Sequence, residues 1–173
     1  MNFDMIIEDP LQANVERTIE RVAIRAIIMS NNRILLVHSS RGDFKFPGGG
    51  LEENESHEEC LIREVREETG YIHCTVNDKV GTVTERKMDE YIDNALFEMT
   101  SHYYLCELAS VEKTAQQLEG YEAELNFTPK WVTLEEAIKQ NESLIERYEQ
   151  NGWLRRETFV LKQLENMLIE ECI

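Results

Sequence analysis

At 173 residues the chain is long enough for one domain whose core buries about 70% of the surface of the unfolded chain. Its composition, 42% hydrophobic and 30% charged, is globular, and apolar runs such as residues 26–29 are far too short to span a bilayer. A net charge of −16 argues against duplex nucleic acid and anionic membranes as partners, because both attract basic patches.

The amino terminus carries Asp4, Glu8 and Asp9 instead of a basic leader with an apolar core, which points to a cytoplasmic location. Residues 15–20 and 22–29 have the alternating, β-branched character of strands. The turn at Ser30, Asn31 and Asn32 and a second apolar run over residues 33–38 complete a predicted hairpin. Residues 39–45 read as a polar connection that leads into Phe46, Pro47 and three glycines.

Residues 56–70 have a helix written at both ends. Ser56 with Glu59 forms a capping box, and Gly70 supplies a left-handed stop. At about 100° per residue, Glu64, Glu67 and Glu68 share one face. Like charges so placed repel each other, so the arrangement makes sense with a cation among them. Oxygen donors without a Cys or His set favour Mg²⁺ or Mn²⁺. Leu61 and Val65 form the adjoining apolar stripe, which sets the acids at the edge of a buried face. Gly48, Gly49 and Gly50 permit backbone to approach a ligand or metal where a Cβ would obstruct it. Arg63 can reach Glu67 four residues on and Glu55 across the loop, as a brace for the metal carboxylates. Taken singly, the run Glu52, Glu53, Asn54, Glu55 reads as a solvated acidic face.

Beyond this helix, residues 73–87 and 98–108 are predicted strands separated by a polar stretch at 88–95. Phe97, Tyr103 and Tyr104 read as core in preference to base-stacking platforms. After Trp131 and Val132, Thr133 with Glu136 three places later reads as the cap of a helix. Gly152 and Trp153 mark a break before a final helix at about 155–171. Its stripe of Val160, Leu161, Leu164, Met167 and Leu168 is read as core, with a homodimer face as the alternative. Cys60, Cys74, Cys106 and Cys172 lack paired short spacings and read as reduced thiols, while His38, His57, His73 and His102 read as ordinary.

From Gly49 through Glu55 to the run Arg63–Glu64–Val65–Arg66–Glu67–Glu68–Thr69–Gly70, the spacing resembles the signature of the Nudix (MutT-like) hydrolases. Tyr71 departs from it, standing where the family usually has an aliphatic residue. Leu35-Leu36-Val37 and Phe46-Pro47-Gly48-Gly49 extend the match upstream, and Trp131 to Ala137 extends it to about residue 140. The resemblance implies a single α/β domain over residues 1–173, an α/β/α sandwich with a mixed central sheet. It also implies metal-dependent hydrolysis, in which water attacks phosphorus in the pyrophosphate of a nucleoside diphosphate linked to another moiety. Glu64 and Glu68 are then the first-choice ligands and catalytic groups with Arg63, and Glu67 is a third ligand. Glu55 and Gly70 are structural, and the general base lies among Glu64, Glu68, Glu122 and Glu124. A proline or tyrosine at a set distance often marks a family subtype, but the next such residues here are Pro129 and Tyr91. Nucleotide sugar, dinucleoside polyphosphate, ADP-ribose, oxidised nucleotide and RNA 5′ end therefore stay open. A non-catalytic nucleotide sensor and an acidic interaction module are the alternatives to an enzyme.

Overall fold

The computed structural model describes residues 2–12, 14–147 and 152–171, so Cys172 lies outside the described residues. The chain runs through β1 (Phe3–Glu8), β2 (Arg17–Ser30), β3 (Arg33–His38), β4 (Phe44–Lys45) and β5 (Gly48–Gly50) into α1 (His57–Thr69). There follow β6 (Cys74–Met88), β7 (Ala95–Leu108), a short α2 (Gly120–Glu124), β8 (Thr128–Val132), α3 (Leu134–Ile145) and α4 (Gly152–Glu171).

A mixed sheet in the order β1-β6-β7-β2-β3-β4, with β5 paired to β2 and β8 to β3, forms the centre. The two strands expected over residues 15–29 are one strand, β2, which pairs in parallel with β7 from Arg17↔Ala95 to Ile28↔Cys106. The predicted hairpin survives only at its tip, Met29↔Ile34 and Ser30↔Arg33. There Asn31 and Asn32 take φ of 51° and 60°, as a type I′ turn requires.

Alternate residues of the strands face opposite helices. Ile24, Ala26 and Ile28 of β2 and Leu35 of β3 join Leu61 and Val65 of α1 in one cluster. Ile27, Ile34 and Leu36 join Ala137 and Ile138 of α3 and Val160, Leu161 and Leu164 of α4 in another. With both faces covered, Ala23–Ile28 is buried throughout, the pattern of a strand between two helical layers. Each fully buried Leu or Ile contributes about 1.5–3 kcal/mol to holding the layers together. Leu168, at the end of the α4 stripe, is 41% exposed.

Three other expectations change. The polar connection at 39–45 contains β4, and Ser39, Asp43, Phe44 and Lys45 are buried in it, since β4 pairs with β3 and packs under α3 and α4. Gly152 and Trp153 form the first turn of α4 instead of a break before it. Tyr103 is core as expected, whereas Phe97 lines a cavity. Tyr71 is accommodated because its hydroxyl accepts Trp131 Nε1 at 3.0 Å, so the ring replaces an aliphatic side chain without leaving a buried hydroxyl unpaired. No helix among the described residues is long and apolar enough to cross a membrane.

Candidate metal centre

The acids of α1 meet the glycine loop because both ends of the helix are fixed. Ser56 Oγ accepts the Glu59 amide, the Glu59 carboxylate accepts the Ser56 amide, and Gly70 ends the helix at φ 84°. Leu61 and Val65 bury completely against the sheet, which turns Glu64 (7% exposed) and Glu68 (0%) toward β5. Gly49 gives room for that approach, for a Cβ there would stand 2.5 Å from Glu64 Oε1 and displace the carboxylate. Gly48 is required by its φ of 140° and by the Ile24 carbonyl, 2.0 Å from where its Cβ would be. At Gly50 a Cβ would meet nothing within 4 Å, so the obstruction expected of all three glycines is confined to two.

Carboxylate oxygens of Glu64, Glu68 and Glu122 lie within 4.8 Å of one another. Glu122 comes from α2, and the segment before α2 is laid along the end of α1. Gln117 donates its amide to the Glu67 carbonyl at 2.9 Å, and Gln116 Nε2 bonds the carbonyls of Glu68 and Phe127. Glu124, the neighbouring candidate, is exposed. Glu67 points to Arg63, whose Nη1 reaches its Oε2 at 3.2 Å.

Arg63 occupies the bracing position. Its Nε and Nη2 grip Glu55 at 2.7 and 2.9 Å, and its Nη1 donates to Glu64 Oε1 at 2.8 Å. That fork holds the Glu55 carboxyl down at about 2 and raises the guanidinium pKa in turn. Glu64 moves the opposite way: burial, then the neighbouring Glu68, push it up to about 7 despite Arg63. Burial also raises Glu122. Three residues that sequence reading did not single out, Lys45, Glu157 and Arg25, complete the centre and its loop. Lys45 of β4, itself buried, sets its ammonium 3.0 Å from Glu68 Oε1, and the Gly48 amide donates to Glu68 Oε2 at 2.9 Å. Glu157 of α4 accepts the Phe46 amide at 2.7 Å, while Arg25 Nη1 donates to the Gly48 carbonyl at 3.1 Å, so the loop is tied from both sides. A lysine after a polar stretch and a glutamate in a helix give no sequence signal of such burial.

The donor set fits a hard divalent cation. Three carboxylates converge there, two of them buried, with the Arg63 guanidinium on Glu64 and the Lys45 ammonium and Gly48 amide on Glu68, so three negative charges meet two positive ones. A cavity of about 810 Å³ adjoins the centre through Lys45, with Arg25, Arg41, Phe97, Tyr121 and Trp153 among its walls. The Tyr121 and Trp153 rings lie 6.1 Å apart and 33° from parallel.

Residues 19–151 match the NUDIX domain. The chain belongs to the Nudix family. Among curated relatives of this Nudix chain, an ADP-ribose pyrophosphatase of Methanocaldococcus jannaschii is 44% identical over 55 residues, 30% of this chain and 32% of that protein. An 8-oxo-dGTP diphosphatase of Proteus vulgaris is 41% identical over 61 residues, 34% of this chain and 52% of that protein. The matched segments thus span about a third and about a half of these two relatives. A solved NUDIX hydrolase from Nitrosomonas europaea superposes with a TM-score of 0.51 at 20% identity, covering 76% of this chain and 90% of its own, and shares the fold.

Proposed function

We propose that this Nudix chain is a divalent-metal-dependent hydrolase that cleaves the pyrophosphate bond of a nucleoside diphosphate linked to another moiety. The convergence of Glu64, Glu68 and Glu122 beside the Gly48–Gly49 backbone carries this reading. Glu64 and Glu68 would hold Mg²⁺ or Mn²⁺, with Glu67 as an outer carboxylate joined to Arg63. Such a cation neutralises the polyanion and makes water more acidic.

The remaining work falls to the chain. The glycine loop lets phosphate oxygens approach backbone without meeting a side chain. Arg63 keeps Glu64 and Glu55 in place, so the ligands need not reorganise as charge develops. Glu122, whose carboxyl is raised by burial and faces the other two acids, takes the proton of the attacking water. The organic part of the substrate lies in the cavity, where Tyr121 and Trp153 offer flat apolar faces to a base. The substrates for which the two relatives are named, ADP-ribose and 8-oxo-dGTP, both carry a phosphoric anhydride on a nucleoside and suit such a site.

Calorimetry with Mn²⁺ and steady-state kinetics on the variants test these roles. Glu64→Gln and Glu68→Gln are expected to weaken Mn²⁺ binding and to lower kcat by about 10²-fold or more. Glu122→Gln is expected to lower kcat by about 10²-fold with Mn²⁺ binding nearly kept, as for loss of a proton acceptor. Equal Mn²⁺ affinity in wild type and the Glu64/Glu68 double variant would refute the assignment of ligands. Nucleotide binding without turnover would make the chain a sensor.

A further inference from the structure

Lys45 belongs to neither the metal helix nor the glycine loop, yet it pairs with the buried Glu68. It stands on β4, two residues before the loop, and its side chain is 4% exposed. Its ammonium serves two neighbourhoods at once. On one side it neutralises Glu68 at 3.0 Å; on the other it lies 4.5 Å over the Phe127 ring and 5.9 Å from that of Tyr121, on the wall of the large cavity. A divalent cation on Glu68 would occupy the place of this positive charge, and the two would repel at short range. The lysine stem is flexible, and the Tyr121 ring on the cavity wall would stabilise an ammonium turned toward the cavity.

We infer that Lys45 is a substrate-binding residue that the metal-free protein holds on Glu68, and that cation binding at Glu68 turns its ammonium to a phosphate group in the cavity. The inference rests on the proposed metal site. It adds an ordering: the same charge first competes with the metal and then attracts the anion, so metal and substrate favour each other's binding. Metal binding in the free protein is weakened by Lys45, and phosphate binding in the metal-loaded protein is strengthened by it.

Calorimetry on the full chain, with Mn²⁺ alone and then with inorganic pyrophosphate on the Mn²⁺-saturated protein, tests this. Lys45→Met is expected to bind Mn²⁺ about tenfold more tightly than wild type and pyrophosphate about tenfold more weakly. Lys45→Arg, which keeps the charge, should stay within about threefold of wild type in both. A residue that only fills space would, on replacement, weaken both or neither. Mn²⁺ affinity equal to or below wild type in a folded Lys45→Met variant would overturn the inference while leaving the metal site standing. Wild type that binds neither probe would overturn both. Should Lys45→Met fail to fold, ¹³Cε-lysine spectra of wild type, with the Lys45 signal identified by its loss in Lys45→Arg, give the answer. A signal that moves on adding Mg²⁺ and again on adding pyrophosphate supports the exchange of partners, and one that does not move overturns it.

Discussion

Arg63 joins the loop before α1 to the acids on its far side, gripping Glu55 with two nitrogens and reaching both Glu64 and Glu67 with a third. If it orients ligands without touching substrate, Arg63→Ala should lower turnover and Mn²⁺ affinity together and leave the ranking of nucleotides unchanged. Kinetics over a nucleotide panel, with calorimetry, check this; loss of one substrate class alone would make Arg63 a substrate contact. At this scale the sequence reveals direction better than convergence. The spacing of Glu64, Glu67 and Glu68 is enough to put them on one helical face. Which of them meet is decided by neighbours distant in the chain: Gly49 admits Glu64, Lys45 and Gly48 hold Glu68, and Glu67 stays with Arg63. Glu122 is one of two nearby acids in sequence, and only the placement of α2 separates it from Glu124.

Among the elements, α1 is the most legible because its ends are local chemistry. Ser56, Glu59 and Gly70 satisfy or terminate backbone groups within a few residues, and the structure keeps all three roles. Gly70 has a second reason to be glycine, since a Cβ at φ 84° would also stand 2.5 Å from the Thr114 carbonyl oxygen. Gly70→Ala is therefore expected to destabilise the fold by about 1–3 kcal/mol, read from urea unfolding, because both strain and contact act against it. Stability within a few tenths of wild type would show that the segment at Thr114 yields freely. The same locality explains α3, capped by Thr133 and Glu136. It also explains what escapes notice. Strand β1 pairs in parallel with β6, Phe3↔Gly81, and fits because Gly81 leaves room for the Phe3 ring. The five residues of α2 are too few to show a period.

For the molecule as a whole, the two helical layers on one mixed sheet are what the resemblance to the Nudix signature implies, while the cavity and its charged lining arise only where the start of α4 meets β4, β6 and β7. The cluster on the α1 face also shapes the acid stability of the fold. His102 lies 5.0 Å from His57, ring to ring, and burial, then Lys79 and His57, lower its pKa to about 4 from 6.5. A depressed histidine leaves the unfolded chain with the extra proton. Its contribution is thus complete above about pH 6.5 and is lost as pH falls toward about 4. Urea unfolding between pH 4 and 8 should show a shallower acid limb in His102→Gln than in wild type; parallel limbs would contradict this. In the proposed reaction, water attacks phosphorus at the Glu64, Glu68 and Glu122 centre. Hydrolysis of a panel of nucleoside diphosphate derivatives in ¹⁸O-labelled water, read by mass spectrometry, tests it most directly. Label is expected on a phosphate product with Mg²⁺, and no product in EDTA. Label on a sugar carbon alone, or undiminished turnover in Glu64→Gln and Glu68→Gln, would contradict it.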